Sequence, residues 1–468
     1  MSYQTVIGLE IHIQLKTKSK MFCRCDNNAE EAMPNTLVCP ICLGMPGTLP
    51  VVNKQAVEWT LKTGLALNCQ IAEFSRFDRK HYFYPDLPKG YQISQYDLPF
   101  CKAGYLEIEM NGEFKRINIR RVHLEEDAGK LLHPTSKDYS LVDLNRAGTP
   151  LMEVVTEPDI STPLEAKIFI QELRSILRYL DVSDADMEKG NFRCDANISV
   201  AINEQEGTPV EIKNMNSFRM VERALLFEEG RQQKLLEKSE KITKETRGWN
   251  DAKGVTIPQR SKEFAQDYRY FPEPDLPPYH PRIAFNIKHL KRELPELPAK
   301  KRRRYIAMGL ALQDAAIISI DRNEAFYFEK VAEKVSPKLA ANWIINELKS
   351  EGILDIAPNA LIKLLSKLEK GEISGKIAKE VFAEMISSGK SADDIIAEKG
   401  ITQIGSENEI GKIIDEVIKE NEKSVADYRV GKKEALGFLI GQVMKKTRGQ
   451  ANPQLVNKIL NDKLTIRK

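Results

Sequence analysis

Residues 123–159 read HLEEDAGKLLHPTSKDYSLVDLNRAGTPLMEVVTEPD. Eight carboxylates (Glu125, Glu126, Asp127, Asp138, Asp143, Glu153, Glu157 and Asp159) stand among short apolar runs built from Leu124, Leu141, Val142, Leu144, Leu151, Val154 and Val155. Surface acid runs lack such neighbours, so the segment reads as half-buried strands. Carboxylates fixed on strands repel one another unless a cation or a basic group neutralises them. Hard cations such as Mg²⁺ take oxygen ligands and usually accompany a phosphate-bearing substrate. The segment therefore predicts a metal-dependent phosphoryl-transfer site.

Working outward, V-I-G-L-E-I-H-I-Q-L (6–15) alternates with period 2, and residues 104–120 carry Asn111-Gly112, a hairpin-turn signal between two alternating runs. R-C-D-A-N-I-S-V (193–200) alternates as well, while 164–180 and 218–239 have helical spacing. Strands and helices mix without regular βαβ alternation, which predicts an α+β fold on an antiparallel sheet. The proline-rich stretch 272–298 marks the boundary of a domain spanning 1–294. Beyond it the pattern is helical. Ser336-Pro337 and Ser374 read as helix starts, Gly389 as a stop, and Ser406 with Glu409 as a capping box. These divide the rest into a helical domain (295–405) and a small helical tail (406–468).

The chain has 468 residues, too many for one core. No run approaches the roughly 18 to 20 apolar residues a membrane span needs, and the N-terminus lacks a secretory pattern. Seven cysteines, four of them clustered, fit a reduced cytoplasmic protein better than a disulfide scaffold. Net charge is +3 but uneven: residues 295–468 carry 30 Lys+Arg against 25 Asp+Glu, which leaves residues 1–294 at −2. At the C-terminus Lys445, Lys446, Arg448, Lys458, Lys463, Arg467 and Lys468 face Asp462 alone. That asymmetry suggests a polyanionic partner on the helical part, and a solvated helix surface is the alternative.

Glu10 and His12 leave the same face of the first strand. With acids from 123–159 they would form a mixed oxygen and nitrogen site for a divalent cation. Glu125 is the first choice in its block, with Glu126 and Asp127 in reserve, and Glu153 inside P-L-M-E-V-V needs a partner. Asp195 and Asn197 share a strand face, as do Glu211 and Lys213. Lys213 with Arg146, Arg193 and Arg247 would neutralise phosphate oxygens. The sequence has no Walker A, kinase glycine loop, nucleophile elbow or dinucleotide fingerprint. Nucleotide would therefore bind outside a P-loop, and no segment looks able to hydrolyse an amide.

Cys23, Cys25, Cys39 and Cys42 form C-x-C-x₁₃-C-x₂-C, two close pairs of the kind a structural Cys₄ zinc site requires. Cys69, Cys101 and Cys194 read as ordinary buried thiols. Residues 77–95 and 267–275 interleave aromatic and basic side chains and read as loops able to clamp nucleotide or RNA. Gly437 and Gly441, one helical turn apart, permit close approach of a helix or a sugar-phosphate backbone.

Taken together, V-I-G-L-E-I-H-I-Q-L, F-D-R-K-H-Y-F-Y-P-D-L-P-K-G-Y-Q-I-S-Q, H-L-E-E-D-A-G-K, D-L-N-R-A-G-T-P-L-M-E, R-C-D-A-N-I-S, D-Y-R-Y-F-P-E-P-D and G-Q-A-N-P resemble the B subunit of the bacterial aspartyl/glutamyl-tRNA amidotransferases, in order along the whole chain. The resemblance implies a cradle-shaped antiparallel-sheet domain, a helical domain and a YqeY-like helical tail that engages tRNA. It implies a heterotrimer in which the other two chains are the amidase, or A, subunit of the enzyme and its small C subunit. The implied enzyme is a carbon–nitrogen ligase with glutamine as amido donor. The B subunit would use ATP and Mg²⁺ to phosphorylate the side-chain carboxylate of Glu-tRNA(Gln) or Asp-tRNA(Asn), and ammonia released by the amidase would displace the phosphate. Carried over by position, Glu10, His12, Glu125 and Glu153 look like the metal and phosphate-site residues, joined by Asp195, Asn145 and Lys213. The cysteine quartet implies a zinc-bearing subtype. The competing reading is a non-catalytic tRNA-binding scaffold.

Overall fold

The computed structural model describes residues 3–465 apart from 111, 136, 203–206, 262–267, 350–355, 401–406, 433, 448–450 and 452. Two compact units divide the chain, Met1–Ala299 and Lys300–Lys468.

The strands of the first unit are β1 (Tyr3–Gln14), β2 (Gln70–Ile71), β3 (Asp78–His81), β4 (Tyr91–Ser94), β5 (Cys101–Met110), β6 (Glu113–Glu126), β7 (Lys130–Leu132), β8 (Leu141–Asp143), β9 (Pro150–Thr156), β10 (Phe192–Ile202), β11 (Val210–Lys213), β12 (Glu245–Asn250), β13 (Val255–Ser261) and β14 (Phe271–Pro272). Nine of them form one sheet in the order β13-β12-β11-β10-β1-β9-β6-β5-β2. Every pair in it is antiparallel except β11–β12. Strands β14, β3 and β4 form a second sheet, and β7 pairs with β8.

β1 lies at the centre because its alternation serves two environments. Ile7, Leu9, Ile11 and Ile13 are fully buried, while Glu10 and His12 stay half-buried on the other side. Burying each such apolar side chain contributes about 1.5–3 kcal/mol. Helices α1 (Lys54–Ala66), α2 (Pro163–Tyr179) and α3 (Phe218–Glu237) cover the apolar face. α2 starts where Thr162 accepts a hydrogen bond from the Glu165 amide and Pro163 occupies the first turn. Its stripe Phe169, Ile170, Leu173, Ile176 and Leu177 faces the sheet core. Ser217 caps α3 in the same way. With one face given to helices, the polar side chains of β1, β6, β9, β10 and β11 gather on the other.

The segment 77–95 is not a loop throughout. β3 and β4 pair from Asp78↔Ser94 to His81↔Tyr91, and β14 adds to β3. The segment's crowded aromatic and basic side chains read as a loop, but only the turn between the strands is one, closed by Leu87 and Gly90 amides donating to Tyr84 and Leu87 carbonyls. The β5–β6 hairpin closes at Met110↔Glu113 with Gly112 at φ 83°. Asn111 of that turn lies outside the described residues.

Short helices α4 (Pro281–Ala284) and α5 (Ile287–Arg292) end the first unit, and α6 (Pro298–Ala307) leads into the second. There follow α7 (Leu312–Ile320), α8 (Arg322–Ala332), α9 (Pro337–Trp343) running into a π-helical turn (Ile344–Leu348), α10 (Pro358–Glu369), α11 (Gly375–Ser388), α12 (Ala392–Glu398), α13 (Glu407–Glu420), α14 (Glu422–Arg429), α15 (Glu434–Lys446) and α16 (Pro453–Thr465). Ser374 caps α11, and Gly389 closes it at φ 68°. Ser336 stands at the N-cap of α9 without a capping side-chain bond. The last four helices share a core of Ile410, Ile414, Val417, Leu439, Val443, Val456 and Leu460. Ser406, Arg448, Arg467 and Lys468 lie outside the described residues. A Cβ at Gly437 or Gly441 would meet nothing within 4 Å, so among the described residues no helix presses on them. No helix of the described residues is long and apolar enough to cross a membrane.

Candidate active site and candidate metal centres

Strand register builds the polar face. His12 lies opposite Glu153, and Glu153 lies opposite His123 on the next strand. On the other flank β10 sets Arg193 against His12 and Asp195 against Glu10, and β11 sets Glu211 against Asn197. Arg121 falls in the row of Glu10, and Gln14 and Glu125 flank Leu151 in the row beyond. Rows two residues apart face the same side of the sheet. A grid of ionisable groups from five strands results.

At its centre His12 Nε2 is 3.6 Å from Glu153 Oε2 and 3.9 Å from Glu125 Oε1. His123 Nε2 is 3.0 Å from Glu153 Oε2 and 3.7 Å from Glu125 Oε2. One ligand atom from each of His12, Glu125 and Glu153 lies within 4.8 Å of the others. Ser94 Oγ donates to Glu125 Oε2 at 2.8 Å. Burial alone would depress the charge of His123, but Glu153 and Glu125 raise its pKa to about 9. Against burial, His123 with His12 holds Glu153 well below the usual carboxylate range, and His123 with Lys80 holds Glu125 below it.

Glu10 stands beside this cluster. Asn197 Nδ2 donates to its Oε1 at 3.1 Å, and burial with the charges of Glu153 and Glu211 pushes its carboxyl above the usual range. Lys213 Nζ bonds Asp195 at 2.7 Å and Glu211 at 3.1 Å, and those charges raise its pKa against burial. Arg193 Nη2 donates to Asp127 Oδ2 at 2.7 Å. Asp127, also bonded by Gln14, is held below its ordinary value by Arg193 and Arg146.

The three acids of the first block have three separate jobs. Glu125 joins the two histidines and Asp127 joins the arginines, both on the grid. Glu126 points to the opposite side, paired with Lys89 and accepting the Ile93 amide. Two of the expected residues, Asn145 and Arg247, are not aimed at the grid, and Arg146 stands at its rim. Asn145 accepts from the Leu37 amide at 2.8 Å and donates to the Met33 carbonyl at 2.7 Å, so it props the cysteine-bearing loop. Arg146 donates to the Ala128 and Gly129 carbonyls while its Nε stays 3.7 Å from Asp127 Oδ2. Arg247 shares the side of buried Ile212 in the parallel β11–β12 pair, where it bonds Thr256 and Glu245 and approaches buried Glu228 at 3.6 Å. Its strand neighbour, not its charge, sets that side.

His123, Arg121 and Ser94 have no role in the sequence analysis, and Lys80 enters it only as part of the 77–95 segment. His123 had a signal: it precedes Glu125 by two on an alternating strand, the same rule that selects Glu10 and His12. Lys80 belongs to the basic and aromatic 77–95 segment, but its nearness to Glu125 and Glu153 depends on how the second sheet packs. Among the described residues, His123 Nδ1, Arg121 Nε and Arg193 Nε are buried without a hydrogen-bond partner. Orphaned buried donors in one place call for polar ligand atoms. The imidazole and carboxylate donor set fits a hard divalent cation, and the cationic rim fits phosphate.

The four clustered cysteines form the second centre. Their Sγ atoms all lie within 4.8 Å of one another, Cys39 and Cys42 being 3.9 Å apart. The Cys39 amide donates to Cys42 Sγ. Cys42 is pulled down to about 5 by the hydrogen bond from Cys23, aided by the Cys39 amide and Lys20, while burial pushes Cys25 up to about 11. Four thiols this close ionise together only around a cation, and the donor set suits tetrahedral zinc. Cys69, Cys101 and Cys194 are buried elsewhere.

Comparisons with known proteins place the chain in a family. The GatB/GatE catalytic domain family matches residues 5–285, and the GatB domain family matches residues 326–464. The B subunit of the aspartyl/glutamyl-tRNA(Asn/Gln) amidotransferase of Thermoanaerobacter pseudethanolicus is 53% identical over 477 residues, covering 99% of this chain and 100% of that protein. The protein of the same name from Carboxydothermus hydrogenoformans is 51% identical, covering 99% of each chain. That of Pseudothermotoga lettingae is 50% identical, covering 98% of this chain and 99% of its own. The chain belongs to the family of aspartyl/glutamyl-tRNA(Asn/Gln) amidotransferase B subunits.

Proposed function

We propose that this chain activates the side-chain carboxylate of Glu-tRNA(Gln), Asp-tRNA(Asn) or both, at the grid centred on His12, Glu125 and Glu153. A carboxylate oxygen of the tRNA-bound amino acid attacks the γ-phosphorus of ATP, and ADP leaves with the electrons of the broken P–O bond. Ammonia then attacks the acyl carbon and loses a proton, and phosphate departs with the C–O electrons, leaving an amide. The ammonia would come from glutamine hydrolysed by the amidase partner, the A subunit of the enzyme. The small C subunit would complete a cytoplasmic heterotrimer.

The single observation that carries this reading is the His12, Glu125 and Glu153 cluster with orphaned donors of His123, Arg121 and Arg193 beside it. His12, Glu125 and Glu153 would hold Mg²⁺, with Glu10 at the edge of the set. Bound Mg²⁺ supplies charge neutralisation on the transferring phosphoryl group. His123 fixes the orientation of both carboxylates. Arg121, Arg193 and Lys213 offer cations for phosphate oxygens. The second sheet brings Lys80 toward Glu125 and helps keep water from the acyl group. The Cys₄ centre would hold structural zinc. The helical domain (295–405) and the tail (406–468) would engage tRNA through their excess of basic residues.

The test is transfer of labelled γ-phosphate from ATP to Glu-tRNA(Gln), with this chain, its two partner chains and Mg²⁺ but no amide donor. A labelled acyl phosphate that vanishes on adding glutamine and is absent in Glu125→Ala is the expected result. ATP left intact despite tRNA binding would reduce the chain to a docking role.

A further inference from the structure

Lys20 is fully buried, among the largest side chains with no exposure at all. Its Nζ donates to the Leu37 carbonyl at 2.7 Å, reaches the Leu144 carbonyl at 3.5 Å and lies 3.9 Å from Cys42 Sγ. Among the described residues no carboxylate pairs with it. A buried ammonium whose close partners are two carbonyls and a sulfur is costly, because neutral dipoles do not cancel a charge. The anion that would cancel it is at hand: four thiolates outweigh the charge of one divalent ion, so a loaded Cys₄ centre is itself a buried anion.

We propose that Lys20 is the charge-compensating partner of a tetrathiolate zinc centre and positions its Cys42 ligand. The inference rests on the zinc reading above. The two groups need each other: the thiolate centre offsets the buried ammonium, and the ammonium lowers the cost of gathering four thiolates in a dry place. The same side chain ties the ligand loop to the sheet. Leu37 lies between the two cysteine pairs, and Leu144 leads into the turn before β9. At Gly148 in that turn, an added Cβ would meet Cys42 Cβ and Lys20 Cδ at 3.5 Å. The loop, the lysine and the turn thus converge on one point, where a misplaced Lys20 would disturb the ligand geometry.

The test uses the full-length chain and zinc itself, by competition with a chromophoric chelator, together with the absorption spectrum of the cobalt-substituted protein. Lys20→Met removes charge and donor at similar length, and Lys20→Gln keeps a donor without charge. Zinc affinity is expected to fall about 10–100-fold in both, the range for losing an outer-shell partner, with altered cobalt–thiolate absorption. In the wild-type chain, acetylation of Lys20, read by mass spectrometry, should rise several-fold when zinc is chelated, a readout that survives even if both variants fail to fold. Wild-type zinc affinity in either folded variant, or Lys20 equally protected with and without zinc, overturns the proposal. A wild-type chain that takes up no zinc overturns the zinc reading instead.

Discussion

His123 Nε2 lies 3.0 Å from Glu153 Oε2, and the two residues are direct partners across the β6–β9 ladder. Glu153 in turn faces His12 across the β1–β9 ladder. One carboxylate is therefore shared by two imidazoles, and this sets what its loss does. Glu153→Gln should lower phosphate transfer to Glu-tRNA by about two orders of magnitude or more, as expected for removing a metal-clamping carboxylate. Mg²⁺ titration of the same assay should shift to higher concentration. Unchanged transfer at unchanged Mg²⁺ would place the metal elsewhere.

The pKa of His123, about 9 in the folded chain, exceeds the ordinary value near 6.5. The stability this confers on the metal-free chain is fully present below about pH 6.5. It is lost as pH rises through 9, and is worth on the order of 3 kcal/mol. Denaturant unfolding of the metal-free protein at pH 6.5 and pH 9 should show that loss. His123→Gln should flatten it. An equal pH slope in both proteins would contradict the charged imidazole.

Arg247 is expected to matter for stability and not for phosphate binding. Glu228 has no exposure and depends on Arg247 and Arg231 for its charge. Arg247→Met leaves it half-compensated, at a cost on the order of 2–3 kcal/mol. The melting temperature should fall by several degrees while KM for ATP stays as in wild type. A raised KM without a stability loss would return Arg247 to the nucleotide.

Metal analysis of freshly purified, unchelated protein should find about one equivalent of zinc, and Cys39→Ser should lose it. Chelation should lower the melting temperature of the wild-type chain. Protein free of zinc as purified, with no change on chelation, would make the quartet four ordinary thiols.

Local pattern reached some parts of this molecule and not others. The alternation of β1, the helical spacing of α2 and α3 and the cysteine spacing all depend on neighbours in sequence, and all were legible. Glu10 and His12 were correctly given one face by the same rule. What brought His12, Glu153 and His123 into one row was pairing of β9 with distant β1 on one edge and with β6, across an intervening hairpin, on the other, which no local pattern encodes. Arg247 was misread because its side follows from a parallel β11–β12 pair inside an otherwise antiparallel sheet. Asn145 was misread because its partners Met33 and Leu37 belong to a loop whose packing is tertiary. Lys20 sits in an unremarkable K-T-K-S-K run, and only its burial beside Cys42 singles it out.

β1 belongs to two ladders at once, with β10 on one edge and β9 on the other. Its length is consequently frozen. Deleting one residue between Gly8 and Gln14 would reverse the side of everything that follows, turning carboxylate and imidazole into the helix layer and isoleucines toward the substrate. No compensating point substitution could repair that, since both neighbours would lose register together. The exposed hairpin tip at Gly112, by contrast, is bounded by a single ladder and can lengthen freely. Variation in chain length should therefore collect at such tips, and a library that inserts or deletes residues at random should return inactive protein from β1 and active protein from the tip.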